Sequence, residues 1–285
     1  MNNPQESLSP IVFTIDRSFI LPLRNALKSL SKVHTGAENI DVIVLFTNEL
    51  DRKDIDVLYD AVASNQQILL RLQQVPLLVE GVGESAEINH AAYLRLAIAS
   101  IFDVEQVVYL DADIFFTKSP VDLLRLQLEG QSAIAAVQDV QNPTLESGIA
   151  IPGWQSLGLK GNTPYFNSGV MVMSIKKWNE EKISEQAIDF VQSHPQHLRF
   201  RDQDALNFLL VGKWQSLPLI WNYPPLSVIL KIEGAKYYAE KIFPLNSILD
   251  IEQDAGIIHF VGPAKPWQQG FPDGNVTDLY RELTK

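Results

Sequence analysis

The segment Val107-Val108-Tyr109-Leu110-Asp111-Ala112-Asp113 places two carboxylates directly after a short apolar run. A run of this kind is typical of a buried strand, and in open α/β sheets ligands bind at the carboxyl ends of the strands. Residues i and i+2 of an extended segment point the same way, so Asp111 and Asp113 can approach one hard cation and a diphosphate bound to it. Two close carboxylates repel each other unless something positive stands between them, which favours a metal site over a merely polar strand end.

Short β-branched runs alternate with helix-period segments from residue 10 to about residue 137. Such alternation is typical of strand–helix–strand units around a parallel sheet. The predicted strands cover residues 11–15, 40–46, 68–72, 107–110, 133–137, 169–175 and 256–261. The clearest predicted helix covers residues 51–64, and further helices are predicted over residues 176–193 and from Asp202. The predicted fold class is therefore α/β, with a mostly parallel central sheet.

The chain shows neither an internal repeat nor a linker, which predicts a single domain over residues 10–285. Residues 1–9 are polar and lack Lys and Arg, so they are predicted to form a disordered amino-terminal arm and not a signal peptide. Residues 139–164 are rich in Gln, Asn, Pro, Ser and Gly and have no sustained period, which predicts a long loop. Loops of that length inside compact domains are usually functional or mobile.

The charge balance limits the classes of partner. The 285 residues include 23 Lys plus Arg against 34 Asp plus Glu, a net charge of −11, and no basic stretch would follow a phosphate backbone. We therefore expect no nucleic-acid partner. No apolar run approaches the roughly 20 residues that cross a bilayer, so no transmembrane segment is predicted. The chain has no cysteine, which fits a reducing compartment, and we expect a cytoplasmic protein.

A second candidate segment surrounds His259, which lies in an apolar run and is followed by Gly-Pro-Ala-Lys-Pro-Trp at residues 262–267. A lone histidine on an apolar strand is more often a core residue than a ligand. The residues that follow favour the ligand, because glycine lets a backbone approach a diphosphate closely and Lys265 can neutralise a phosphate oxygen. Asn167 offers a neutral amide just before a predicted strand, although it could also be a turn residue.

Two further acidic pairs test how specific the Asp-x-Asp pattern is. Asp54 and Asp56 lie on an amphipathic helix, where their spacing turns them away from each other, and are predicted to be solvated. Asp202 and Asp204 flank Gln203 at a predicted helix start, where capping of the helix is as good an explanation as a binding role. The segment from 194 to 197, His-Pro-Gln-His, is predicted to lie on the surface.

One rival motif is present. Gly81-Val82-Gly83-Glu84-Ser85-Ala86 matches the dinucleotide fingerprint, follows the apolar run 75–79, and has Asp103 and Glu105 about 20 residues further on. It favours an NAD-type dinucleotide-binding oxidoreductase as the alternative function. The fingerprint should close the first strand of its sheet, whereas two or three strand–helix units precede it here, and Glu84 would sit at the phosphates.

Six segments in a fixed order resemble glycosyltransferase family eight, which includes glycogenin and bacterial lipopolysaccharide galactosyltransferases. They are residues 11–19, 93–96, 108–113, 167–173, 202–204 and 259–267. The resemblance runs from about residue 10 to about residue 270. It implies a single GT-A type, Rossmann-like domain that moves a hexose from a UDP-sugar to an unidentified acceptor with retention. The implied cofactor is Mn²⁺, with Mg²⁺ as the other possibility. A non-catalytic sugar-nucleotide-binding module is the remaining alternative.

The resemblance also implies roles for individual residues. The implied metal ligands are Asp111, Asp113 and His259. The residues implied to bind the nucleotide sugar are Thr14, Asp16 and Phe19 at the uridine, Arg95, Asp139 at the sugar, and Gly262 and Lys265 at the diphosphate. The implied catalytic residues around the donor sugar are Asn167, Asp202 and Gln203. Gln203 lies nearest the expected nucleophile position, and because an amide is a poor nucleophile, same-face attack is preferred to a covalent intermediate. Arg17 and Ser18 depart from the family's pattern near the base.

Overall fold

The computed structural model describes residues 8–47, 50–76 and 90–285, and the side chains of residues 90–92 are outside the described part. The strands are β1 (Ile11–Ile15), β2 (Ile40–Phe46), β3 (Ile68–Gln74), β4 (Gln106–Leu110), β5 (Ile114–Phe116), β6 (Ile134–Gln138), β7 (Phe166–Ser174), β8 (Trp214–Ser216) and β9 (Ile257–His259). The helices are α1 (Ile20–Val33), α2 (Arg52–Val62), α3 (His90–Ile101), α4 (Val121–Leu124), α5 (Ile175–Glu180), α6 (Ile183–Ser193), α7 (Asp202–Leu209), α8 (Leu226–Ile229), α9 (Leu245–Leu249) and α10 (Asn275–Thr284).

Seven strands form the central sheet in the order β3-β2-β1-β4-β7-β6-β8. The pairs β3-β2, β2-β1, β1-β4 and β6-β8 are parallel, and only β7 runs against its two neighbours. The predicted α/β class with a mostly parallel sheet is therefore confirmed. Because β2 and β4 lie on opposite sides of β1, the strand order reverses at β1, and ligands bind at such a reversal in open α/β sheets.

Both faces of the sheet are covered. In β1, Ile11, Phe13 and Ile15 belong to the hydrophobic core under α1 and α2, whereas Val12 belongs to the core under α3, α5, α6 and α7. This alternation follows from the two-residue period of a strand. A third apolar cluster joins the small β5-β9 sheet to α8, α9 and α10. No helix in the described residues is long and apolar enough to cross a bilayer.

The structure corrects two details of the sequence prediction. The helix predicted over residues 176–193 is interrupted, because Lys182 has a φ of 51° and separates α5 from α6. His197, predicted at the surface, is 8% exposed, and its Nδ1 contacts the carbonyl oxygen of Pro152. This contact joins distant segments, which a local pattern does not record. The predicted loop 139–164 agrees with the structure, which has one short 3₁₀ helix there, and it packs around a small core of Leu145, Ala150, Ile151 and Tyr165.

The rival dinucleotide motif at residues 81–86 lies outside the described residues. The strand that precedes it, β3, is at the edge of the sheet, two strands away from β1. A dinucleotide fingerprint belongs to the turn after the strand at the centre of the fold, where the strand order reverses. The topology therefore does not favour this alternative.

Candidate active site

Asp111, Asp113 and His259 converge at the carboxyl end of β4. One possible ligand atom of each residue lies within 4.8 Å of the others. His259 Nε2 is 3.2 Å from Oδ1 of Asp113 and 3.8 Å from Oδ2 of Asp111. The two aspartates lie between β4 and β5, and β5 pairs with β9 so that Ile114 is opposite His259. The strand pairing thus brings together the three residues that the resemblance implies as metal ligands.

Gly169, on β7, provides the space for this cluster. A β-carbon at this position would lie 2.8 Å from Nδ1 of His259 and 2.9 Å from Oδ2 of Asp111, closer than packed side chains approach. The carbonyl oxygen of Gly169 also accepts a hydrogen bond from the backbone N–H of Asp111 at 2.8 Å. Glycine at this position therefore lets the backbone of β7 pass directly beside two of the three converging side chains.

Asn222 sets the orientation of the His259 ring. Nδ1 of His259 is 2.9 Å from Oδ1 of Asn222, and Nδ2 of Asn222 donates to Asn167 at 2.9 Å. Because an amide oxygen only accepts, Nδ1 carries the hydrogen, and in the neutral ring Nε2 turns its lone pair toward Asp111 and Asp113. The Nε2 lone pair of a neutral ring and the two carboxylates would face one another here, an arrangement that a shared cation can hold together. This donor set fits a divalent ion such as Mn²⁺ or Mg²⁺.

Lys265 lies on the flank of the cluster. Its Nζ is 2.6 Å from Oδ2 of Asp113 and also donates to the carbonyl oxygen of Phe260. Burial alone would raise the pKa of Asp113, but its contacts with His259 and with the Lys265 ammonium outweigh burial and hold that pKa well below its usual value. Gly262, with a φ of 86°, lines the adjacent cavity and takes a backbone conformation that favours glycine.

Arg95, on α3, is buried behind the cluster and joins two of the acidic residues. Its Nη2 is 3.0 Å from Oδ1 of Asp111, and its Nε is 2.8 Å from Oδ2 of Asp202. Nη1 donates to the carbonyl oxygen and to Oγ of Ser168 at 3.0 and 2.9 Å, and the guanidinium lies over the Tyr109 ring. Burial would lower the pKa of Arg95, but Asp111 and Asp202 raise it above its usual value. Arg95 is 7% exposed and therefore supports Asp111 from the protein side.

Asp202 and Asp204 have different roles, although the sequence presents them as a pair. Asp204 is fully buried and accepts hydrogen bonds from the Tyr165 hydroxyl and from the backbone N–H groups of Ile151, Arg199 and Phe200. It ties the 139–164 segment to the turn before α7. Asp202 is the first residue of α7, and its Oδ2 makes a short but poorly aligned contact with Arg95. Burial raises the pKa of Asp202 to about 6.

Gln203 lies between these aspartates and lines the same cavity as Asp111, Asp113 and His259. Its Oε1 accepts from the backbone N–H of Ser168 at 2.9 Å, and its Nε2 donates to the Tyr165 hydroxyl at 3.1 Å. The side chain is thus held by hydrogen bonds at both ends. The cavity encloses about 590 Å³. The cavity-lining residues that the sequence analysis named are Asp111, Asp113, Asp139, Asn167, Gln203, His259 and Gly262.

Residues 10–270 match the family profile described as "Glycosyl transferase family 8". The chain belongs to glycosyl transferase family 8. General stress protein A of Bacillus subtilis is 29% identical over 72% of this chain and 67% of its own length. The lipopolysaccharide 1,2-glucosyltransferase of Escherichia coli is 31% identical over 64% of this chain and 50% of its own length. The chain thus spans half to two-thirds of the length of these family 8 relatives.

Solved structures of similar proteins agree with the fold. A structure titled as the galactosyltransferase LgtC in complex with donor and acceptor sugar analogues superposes with a TM-score of 0.72. It is 24% identical and covers 96% of this chain and 95% of its own. At this identity the likeness shows the fold, which is the GT-A fold that the sequence predicted for this family 8 chain.

Three residues implied at the uridine lie at the carboxyl end of β1, beside β4, but do not line the described cavity. The hydroxyl of Thr14 is 3.3 Å from that of Tyr109, which in turn donates to Asp111. Asp16 accepts from the backbone N–H of Ser18 at 2.8 Å and begins a short 3₁₀ helix that ends at Phe19. In this family 8 chain, Thr14 therefore reaches the cluster through Tyr109, while Asp16 and Phe19 sit at the same edge of the sheet.

Sequence reasoning missed several residues of the site. Asn222 is 4% exposed and contacts His259, yet it follows a tryptophan in no motif, so no local signal marks it. In the sequence analysis, Tyr109 was considered only as part of a strand.

Asp54 was predicted on a solvated face, but it closes a capping box with Asp51 and pairs with Arg17. In the Asp54 case the three-residue spacing to Asp51 was the available signal.

Proposed function

We propose that this chain transfers a hexose from a UDP-sugar to an acceptor with retention at the anomeric carbon, using Mn²⁺ or Mg²⁺. The observation that supports it best is the convergence of Asp111, Asp113 and His259 at one end of a cavity that Asp139 and Gln203 also line. When bound, the cation would stabilise the negative charge that develops on the departing diphosphate. A cytoplasmic location stays a prediction.

Lys265 and Gly262 are placed to serve the leaving diphosphate. The Lys265 ammonium lies on Asp113 and can add positive charge at the same place as the cation. Gly262 lines the cavity, and its left-handed backbone leaves open space where a side chain would stand. Together they support binding of the donor's phosphates beside Asp111 and Asp113.

The carboxylates around the proposed sugar site favour same-face attack over a covalent intermediate. Oδ1 of Asp139 accepts from the backbone N–H groups of Gln141 and Asn142 at 2.8 Å each, and Oδ2 accepts from Asn167. Asp202 is buried against Arg95 and does not line the described cavity. Neither carboxylate is well placed to attack the sugar, because Asp139 is held by hydrogen bonds and Asp202 lies outside the described cavity, and Gln203 is an amide. We therefore assign Asp139 and Asn167 to the sugar hydroxyls and Gln203 to positioning at the reacting carbon.

The remaining lining of the cavity suits the acceptor. The part of the lining from residues 224–235 and 261–264 is largely apolar, with one exposed carboxylate, and includes Pro224, Ile229, Ile232, Glu233, Gly234, Ala235, Val261, Pro263 and Ala264. Apolar surface of this kind packs against the C–H faces of a sugar ring. We place the acceptor on this side of the cavity.

A panel of nucleotide sugars, scored for released nucleotide with and without Mn²⁺, tests the proposal. We expect release from at least one UDP-sugar, lost on chelation and in Asp113→Asn. Asp56→Asn is the matched control, because Asp56 belongs to another Asp-x-Asp pattern, is exposed on α2 and pairs with Arg52. Release that survives Asp113→Asn would reject the metal site.

Thermal denaturation separates the proposal from its alternatives. UDP with Mn²⁺ should raise the melting temperature, UDP without metal should raise it little, and NAD should have no effect. A ligand at about 100 times its dissociation constant adds roughly 2.7 kcal/mol to the free energy of unfolding. Stabilisation by NAD alone would favour the dinucleotide reading. Stabilisation by UDP without release from any nucleotide sugar would favour a binding module.

A further inference from the structure

Four side chains joined by hydrogen bonds run from Asp139, at the proposed sugar site, to His259, which lies beside Asp111 and Asp113. Nδ2 of Asn167 donates to Oδ2 of Asp139 at 3.3 Å, and Nδ2 of Asn222 donates to Oδ1 of Asn167 at 2.9 Å. Oδ1 of Asn222 is then 2.9 Å from Nδ1 of His259. All four residues line the same cavity, so the connection runs along its wall.

The direction of donation along these hydrogen bonds is fixed by the first amide, that of Asn167. An ionised carboxylate such as Asp139 only accepts hydrogen bonds, and a backbone N–H only donates. Asn167 faces both, since its Nδ2 meets Asp139 and its Oδ1 accepts from the backbone N–H of Gly169 at 2.9 Å. Turning the Asn167 amide over would place oxygen against carboxylate and NH₂ against N–H. Its orientation is therefore determined from two sides.

The fixed amide determines every later link. Because Asn167 Oδ1 faces Asn222, the group of Asn222 that meets it must be the donor, Nδ2. Asn222 then presents Oδ1 to His259, and only a hydrogen on Nδ1 satisfies that contact. Asn222 and His259 are each 4% exposed, so bulk water has little access to replace either partner.

We propose that Asn222 is a positioning residue that holds His259 in the Nδ1–H tautomer, so that Nε2 is left to bind a divalent cation together with Asp111 and Asp113. The metal part of this inference rests on the proposed function. The tautomer part stands on the hydrogen-bond chain alone. Partners of this kind fix the ring of a metal-binding histidine, and their loss typically costs about 10- to 100-fold in metal affinity.

Two substitutions separate the acceptor role of Asn222 from its size. Asn222→Leu keeps the branched shape of the side chain but removes its acceptor and its donor, so the His259 ring can move its hydrogen to Nε2 and donate to Asp113, which lies 3.2 Å away. Asn222→Asp keeps an oxygen for Nδ1–H and should restore the tautomer. Asn25→Leu is the matched control, because Asn25 is a buried asparagine on α1 whose partners are Tyr280 and Arg24.

The test reads the tautomer of metal-free His259 from its ¹⁵N shifts at about pH 8.5, roughly two units above the ordinary histidine pKa. Manganese affinity is measured in parallel from the paramagnetic resonance signal of free Mn²⁺. We expect Nδ1–H in the wild type, in Asn222→Asp and in Asn25→Leu, and its loss in Asn222→Leu. The Mn²⁺ dissociation constant should rise about 10- to 100-fold in Asn222→Leu only.

The proposal is overturned if Asn222→Leu keeps the Nδ1–H signal, or if it binds Mn²⁺ as tightly as the control does. If Asn222→Leu does not fold, Asn222→Asp decides, because loss of Nδ1–H there contradicts the acceptor role. A wild type that shows Nδ1–H but neither binds Mn²⁺ nor releases nucleotide would refute the proposed function while it supports the tautomer assignment.

Discussion

Gly169 lies so close to His259 that a β-carbon on the glycine would be 2.8 Å from Nδ1 of the ring. Gly169→Ala should therefore push His259 away from Asp113 and weaken Mn²⁺ binding by at least about tenfold, as loss of a partner that orients a ligand does. Because β7 is buried, unfolding by urea should also show lower stability. Isothermal titration with Mn²⁺ measures the first effect. Gly36→Ala, exposed and distant, is the control, and equal Mn²⁺ affinity in both variants would contradict the expected crowding.

Arg95→Met should destabilise the protein, because it leaves the carboxylates of Asp111 and Asp202 without their shared cation. Breaking a buried ion pair by removal of one partner costs about 3–5 kcal/mol. Urea unfolding followed by far-ultraviolet circular dichroism measures the change. Arg125→Met provides the comparison, since Arg125 pairs with Glu38 at the exposed surface and should matter little. An equal loss of unfolding free energy in the two variants would show that Arg95 acts only through its packing.

Asp202 makes stability depend on pH with a defined sign. Its pKa in the folded protein is about 6, above the value near 3.9 of an unfolded chain, so the native state binds the proton more tightly. The resulting stabilisation is complete below about pH 4 and is lost as the pH rises through about 6, a change of roughly 3 kcal/mol.

Asp202→Asn removes this titration. The free energy of unfolding of the wild type minus that of Asp202→Asn should therefore fall between about pH 4 and pH 7. Urea titrations of both proteins across this range measure the difference, in which groups common to both cancel. If this difference in unfolding free energy does not change with pH, or rises with pH, the Arg95 contact keeps Asp202 ionised.

Gln203 and Lys265 should affect different kinetic constants. Gln203→Ala should lower kcat strongly and leave donor affinity nearly unchanged, since the side chain faces the cavity beside the proposed sugar and is held by Ser168 and Tyr165. Lys265→Ala should weaken UDP binding, because it removes positive charge next to Asp113. Steady-state kinetics and UDP titration check both. Two variants that changed binding alone would remove the division of roles.

The sequence predicted the strands around the site better than the hydrogen bonds that connect its side chains. Strand limits at residues 11–15 and 40–46 agree with the structure, because doubly buried strands leave a continuous apolar run. The convergence of Asp111 with His259 could be predicted, because Asp111 follows one such run and His259 ends another. Asn222 and the anchoring role of Asp204 could not, since both depend on partners many residues away in the chain. Buried polar networks leave no periodic signal.

The small sheet of β5 and β9 has a consequence for the order of assembly. Asp113 immediately precedes β5, and His259 is the last residue of β9, so these two side chains meet only when the two strands pair. During synthesis, the residues of β1, β2, β3 and β4 leave the ribosome long before β9 does, and closing so long a loop carries an entropic cost. The proposed cation site is therefore complete only after β9 has been synthesised and has paired with β5.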